Sequence, residues 1–182
     1  MFTISTSRLL LRLWKEGDID AYYQINQDPD VLEFLPGALT RTEVKNFMAR
    51  QNQQFVERGF ALWAAELKET SDLIGFIGLN YFDYPVHFSP AVEIGWRLSS
   101  SFWGKGYATE GARKVIEFGF HQCHLQEIVA FTVPKNIRSQ RVMEKIGMVQ
   151  DMNGDFFHPK LPRKHRLAKH VLYRITSENA AL

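Results

Sequence analysis

The stretch Phe102–Phe120 reads FWGKGYATEGARKVIEFGF. Glycines flank Lys105, a small residue and a threonine follow, and Ala112, Val115, Ile116, Gly119 and Phe120 then recur at helical spacing. The pattern predicts a glycine-rich turn feeding a helix that is capped at Thr109. Such a turn offers successive backbone N–H groups and the positive end of a helix dipole to an anion such as a pyrophosphate. Gly104, Gly106 and Ala108 permit close approach, and Lys105 adds charge. A plain strand-to-helix connection also uses glycines in this way. Two nucleotide fingerprints are missing: Thr109 stands where GxGxxG needs its third glycine, and GxxxxGK[ST] does not occur.

Outward from this turn the pattern predicts a mixed sheet. Before it, Ala91–Leu98 (AVEIGWRL) reads as a strand, and Phe60–Leu67 with Leu73–Tyr81 reads as a hairpin across the polar KETSD. Phe82–Pro90 is an aromatic loop. Arg8–Trp14 is a first strand, and Asp18 opens a helix with Tyr22 and Ile25 inside. Thr40-Arg41-Thr42-Glu43 is a capping box for a second helix that carries Val44, Phe47, Met48, Gln51 and Phe55 and ends at Gly59. After the turn's helix, Glu127–Val133 is a strand, Asn136 caps a helix with Val142, Met143 and Ile146 buried, and Gly147 stops it. A basic, loop-like stretch, His158 to Arg174, overlaps a last strand at Val171–Ile175. Hairpins interleaved with strand–helix–strand units imply an α+β fold, a mixed sheet with helices on both faces.

Composition sets the broad class. The 182 residues, 45% of them hydrophobic, suit a single domain spanning 1–182. A net charge of +2 falls short of a dedicated nucleic-acid binder, so nucleic acid is not an expected partner. The single cysteine, Cys123, fits a reducing compartment. No apolar run reaches membrane-span length, and the start MFTISTSRLL lacks a signal-peptide pattern, so a cytoplasmic location is expected.

A second constellation follows one strand–helix unit after the glycine turn: Asn136, Ser139, Glu144, Lys145 and Gly147 within NIRSQRVMEKIGM. Together the two stretches resemble the GNAT superfamily of N-acetyltransferases, in the branch similar to ribosomal-protein N-terminal acetyltransferases. That superfamily's pyrophosphate loop reads Gln/Arg-x-x-Gly-x-Gly/Ala. Here Trp103 replaces the Gln/Arg, as in the branch's Trp-Gly-x-Gly-Tyr-Ala, matched by Trp103, Gly104, Gly106, Tyr107 and Ala108. The openings TSRLLLR and NQDPDVLEFLPG look like the same branch.

The resemblance implies a GNAT fold: a strongly twisted central sheet in which two parallel strands, here Ala91–Leu98 and Glu127–Val133, splay apart. It implies acetyl-CoA as donor, no metal, and direct transfer of acetyl to a primary amine in a ternary complex. The expected donor-binding residues are Ile94, Trp96, Arg97 and Leu98 on the strand, Trp103 through Thr109 (Trp103, Gly104, Lys105, Gly106, Tyr107, Ala108, Thr109) at the turn, and Asn136 with Ser139 on the following helix. Glu93, a carboxylate within an apolar strand, is the expected general base, with pairing to Arg97 as its structural alternative. Many superfamily members carry a tyrosine before the Glu-Lys pair. This chain has Met143, which leaves Ser139 as the hydroxyl able to protonate the departing thiolate.

Other features rank lower. His121 and His124 lack the companions of a metal site, and Cys123 lacks a base beside it. The basic stretch is a solvated loop, a ribosome or RNA contact, or a source of cations (Lys160, Arg163, Lys164) for the 3′-phosphate of coenzyme A. The acceptor walls are expected at Glu33, Phe34 and Leu35 and at Tyr81, Phe82, Asp83 and Tyr84, whose acidic members suit a small cationic amine and whose aromatics suit a protein N-terminus as well. The alternatives to an enzyme are a catalytically inactive CoA-binding regulatory module and an RNA- or ribosome-associated protein. Oligomeric state is open, with a homodimer one possibility.

Overall fold

The computed structural model describes residues 2–180. Eight strands form one sheet in the order β1-β2-β3-β4-β5-β6-β8-β7. They are β1 (Thr3–Ser5), β2 (Leu9–Arg12), β3 (Leu62–Leu67), β4 (Leu73–Phe82), β5 (Ala91–Leu98), β6 (Glu127–Thr132), β7 (Val149–Phe157) and β8 (Lys169–Thr176). The helices are α1 (Ile19–Ile25), α2 (Pro29–Leu32), α3 (Arg41–Arg58), α4 (Tyr107–His121) and α5 (Ile137–Lys145). Strands β1 to β5 run antiparallel in succession, β5 and β6 are parallel, and β8 and β7 continue antiparallel.

The apolar stripes read from the sequence place helices on the two faces. On one face α4 lays Ala112, Val115 and Ile116 against Leu9, Ile77 and Ile94. Gly111 and Gly119 let it sit close, since a Cβ at Gly111 would lie 2.4 Å from Ile77 Cδ1 and one at Gly119 2.9 Å from Ile128 Cδ1. On the other face Tyr22 of α1 and Val44 and Met48 of α3 pack with Trp14, Leu62 and Phe76. The Thr40–Glu43 capping box forms, and Gly59 ends α3 in the left-handed region at φ 78°. Arg12, buried, binds Asp18 at 2.7 and 2.8 Å and Glu66 at 2.6 Å, tying β2 to the turn before α1 and to β3.

Three expectations are corrected. Helix α4 begins at Tyr107 with Gly106 as its N-cap at φ 83°, so Thr109 lies in the first turn and does not cap. Strand β7, Val149–Phe157, falls on residues with no apolar alternation; as a sheet edge it buries only Gly154 and Phe156 and is held to β8 by Arg174 with Asp151 at 2.9 Å. The final strand starts at Lys169, so the end of the basic stretch is strand and not loop.

Candidate active site

Strands β4 and β5 pair continuously from Gly75↔Leu98 to Phe82↔Ala91. Strands β5 and β6 share a single bridge, Glu93↔Val129, while β6 pairs along its whole length with β8. The sheet therefore opens beyond Glu93. Ser99 N–H donates to Ile74 O at 2.8 Å and fixes the phase of the β4–β5 ladder. The alternation of an antiparallel ladder then turns the backbone groups of Glu93, Gly95 and Arg97 to β4 and those of Ile94, Trp96 and Leu98 into the gap. Beyond the bridge at Glu93, the Leu98 carbonyl is also taken, accepting the Trp103 indole N–H at 2.8 Å.

A cavity of about 750 Å³ follows this gap. At one end it meets Gly104, Gly106, Tyr107, Ala108 and Thr109. The first helical hydrogen bond of α4 runs from Glu110 N–H to Gly106 O, and no side chain caps the helix. The N–H groups of Tyr107, Ala108 and Thr109 thus have no intrahelical partner, which leaves donors of the kind that suit an anion. Lys105 does not line the cavity; its Nζ lies 5.3 Å from the Phe102 ring centre, and its carbonyl accepts from Arg8. Besides Arg97 and Lys160, the cations lining it are Arg138, Arg141 and Lys145 of α5, which sequence reasoning missed. Their spacing by three and four along one helix was the available signal.

At the start of α5, Asn136 Oδ1 accepts the Ser139 N–H at 3.2 Å, and its Nδ2 donates to Ser139 Oγ and to Thr132 Oγ1, both at 3.1 Å. The cap also orients the hydroxyl: with Ser139 Oγ accepting from Asn136, its own proton is left to donate elsewhere. Met143 is buried beneath this turn and lines the cavity.

Glu93 lies on the opposite side of the sheet from α4, where the strands part. Glu93 is half-buried and lines the cavity. Desolvation pushes its pKa up to about 8, against a smaller opposing effect from the Asn80 side chain across the ladder. The alternative pairing with Arg97 is not formed: the Arg97 guanidinium donates to Asn26 Oδ1 at 2.5 Å and lies 5.6 Å from the Phe76 ring centre. Arg97 therefore meets the cavity from the α1 side, with its backbone committed to β4. Gly95, between Glu93 and Arg97, leaves the floor open on this face; a Cβ there would make ordinary contacts with Leu62 and Phe76 at 3.5 and 3.8 Å.

Of the expected acceptor walls, Phe34, Leu35, Phe82 and Tyr84 line the cavity. Glu33 instead binds Arg138 at 2.7 Å and offers its carbonyl to Arg166, and the Tyr81 ring is covered by Arg58. Lys160 binds the Tyr84 hydroxyl of this wall, while Arg163 covers the exposed Phe157 and does not line the cavity. Cys123 is half-buried, and burial raises its thiol pKa. Among the described residues no group of three metal-ligating side chains occurs, and no helix is long and apolar enough to cross a membrane.

Comparison with known proteins agrees with this geometry. Residues 8–149 match the model of the acetyltransferase (GNAT) domain. The uncharacterized N-acetyltransferase YnaD of Bacillus subtilis is 32% identical over 177 residues, 96% of this chain and 97% of its own. The FsC-acetyl coenzyme A-N(2)-transacetylase of Aspergillus fumigatus is 41% identical over 153 residues, covering 80% of this chain and 64% of its own. Mycobacterium smegmatis RimJ, solved in complex with CoA-disulfide, shares the fold at a TM-score of 0.79 and 20% identity, over 100% of this chain and 90% of its own. A sheet opened at one bridge, an uncapped helix start beside the opening and a matching family model lead to one statement: the chain belongs to the GNAT family of acetyltransferases.

Proposed function

We propose that this enzyme transfers acetyl from acetyl-CoA to a primary amine by direct attack, with Glu93 as general base and Ser139 as the donor to the leaving thiolate. The observation that carries the reading is the single β5–β6 bridge, which leaves a row of backbone hydrogen-bonding groups facing a cavity that ends at an uncapped helix. The residues fit the donor. Tyr107, Ala108 and Thr109 N–H groups with Arg138, Arg141 and Lys145 suit its phosphates, and the backbone of Ile94 and Trp96 suits its amide arm. When bound, it supplies the thioester carbonyl.

In the reaction an N–C bond forms, the C–S bond breaks, and coenzyme A leaves as a thiol. Glu93 takes the proton the amine loses, which its raised pKa equips it to hold near neutral pH. A backbone N–H in the gap stabilises the developing oxyanion, an effect whose loss typically costs ~10²–10³ in rate. Ser139, one lone pair occupied by Asn136, directs its proton to the departing sulfur and is reprotonated from water, to which Glu93 returns the amine's proton. Release of coenzyme A thiol with a panel of amines tests the reading. Amine-dependent release supports it, and donor binding without release for any amine would assign the chain to a regulatory role instead.

A further inference from the structure

The acceptor end of the cavity is built differently from what a polycationic substrate needs. Phe131 lies at its centre, with ring centres 5.2 Å from Phe82, 6.3 Å from His158 and 5.7 Å from His170. Tyr84 closes the side, 5.9 Å from His158, and the two imidazoles are 5.3 Å apart. These rings come from the end of β4 (Phe82), the β4–β5 loop (Tyr84), β6 (Phe131), the residue after β7 (His158) and β8 (His170), and no local pattern announces their meeting.

The charge distribution points the same way. Among the described residues Asp30 and Glu93 are the only carboxylates lining the cavity, and on the reading above Glu93 serves the reacting amine. The acidic residues expected there, Glu33 and Asp83, do not line it. Lys160 and Arg97 line this end as cations. Neither imidazole is favoured as a cation: burial pushes His170 down to about 4, and burial with Lys160 lowers His158. His170 Nδ1 lies 3.1 Å from the Ala168 carbonyl, which places its proton there and leaves Nε2 an acceptor. His158 Nδ1 accepts from Lys160 N–H at 3.3 Å, which makes its Nε2 the donor. With Glu93 engaged by the reacting amine, a second positive charge on the acceptor has only Asp30 of the lining to pair with and faces Arg97 and Lys160, whereas a flat ring meets ring faces and edges.

We propose that the acceptor is an arylalkyl monoamine, whose ring is held among Phe82, Tyr84, Phe131, His158 and His170 while its single amine reaches Glu93. The proposal rests on the acetyl-transfer reading above and adds the substrate class.

The test uses the purified enzyme in two arms. Acetyl-CoA binding is first measured by calorimetry; absence of binding would overturn the acetyl-transfer reading itself. Thiol release is then followed with 2-phenylethylamine, tryptamine, spermidine and an unblocked alanine tripeptide. The expected result is a kcat/KM for the arylalkylamines at least ~10-fold above spermidine and the tripeptide. An enzyme that binds acetyl-CoA yet prefers spermidine or the tripeptide refutes the proposal. Tyr84→Leu, which keeps an apolar side chain against Phe82 but removes the ring, should raise KM for 2-phenylethylamine several-fold with acetyl-CoA affinity unchanged. His170→Asp should shift the ratio of the two kcat/KM values toward spermidine. Unchanged KM in the first variant, or an unchanged ratio in a folded second one, would remove the aromatic wall from acceptor recognition.

Discussion

Replacing Glu93 with glutamine perturbs the site at one proton. The carboxyl ionises at about 8 in the folded protein against 4.5 as the ordinary value. Below 4.5 both states hold the proton, and the carboxyl imposes no ionisation penalty on folding. As pH rises, the unfolded chain releases its proton first, so stability is lost progressively until the folded carboxyl also ionises near 8. At about 1.4 kcal/mol per tenfold, the full loss is about 5 kcal/mol, of which about 3 kcal/mol has gone by pH 7. Glutamine fills the same space, keeps a partner for Asn80 and does not titrate. Chemical denaturation of both proteins from pH 4 to 9 should therefore show them equal at the acid end and the variant more stable by up to about 5 kcal/mol at the alkaline end. The rate should move oppositely. With a weakly basic acceptor that is neutral throughout, wild-type kcat/KM should climb through a pKa near 8 and the variant should lose that limb. A stability difference that stays flat with pH would refute the desolvation of Glu93, and a full-rate variant would refute its role as base.

Gly106→Ala and Gly59→Ala place a Cβ on backbone of nearly the same left-handed φ, 83° and 78°. Each should cost about 1–2 kcal/mol of stability in denaturation, while only the first weakens acetyl-CoA binding; equal affinities would displace the phosphates from α4. Asn136→Ala should cost about 1 kcal/mol as a lost helix cap and also lower kcat by freeing Ser139, with Ser139→Ala as the comparison; a kcat equal to wild type would reduce Asn136 to a cap alone. Acetyl-CoA at about 100 times its dissociation constant should add about 2.7 kcal/mol to stability, read as a rise in Tm, and the gain at the same fixed concentration should shrink in an Arg141→Ala, Lys145→Ala double variant. Gly95→Ala should leave stability nearly unchanged, because its Cβ finds ordinary contact distances, yet raise KM for the acceptor by narrowing the floor; an unaltered KM would place the acceptor elsewhere.

The sequence alone determined whatever is encoded within a few residues: the capping box at Thr40, the left-handed stop at Gly59, the apolar stripe of α4, and the two motifs whose order carried the family. It placed Glu93 in an apolar strand and Asn136 three residues before Ser139, which is enough to mark both as candidates for chemistry. Gly106 shows the boundary of that legibility. A helix start with no capping side chain looks, in sequence, like a start one cap later, because no neighbouring side chain marks where its free N–H groups begin. The parting of β5 from β6 was beyond local reading. Each strand alone reads as an ordinary apolar run; they separate because β5 is bound along its length to β4 and β6 to β8, and the sheet's twist carries those pairs apart. The same holds for the wall around Phe131 and for the lowered pKa values of His158 and His170. Burial and charge neighbours set a pKa, and here they arrive from strands far apart in the chain that only the folded sheet brings together.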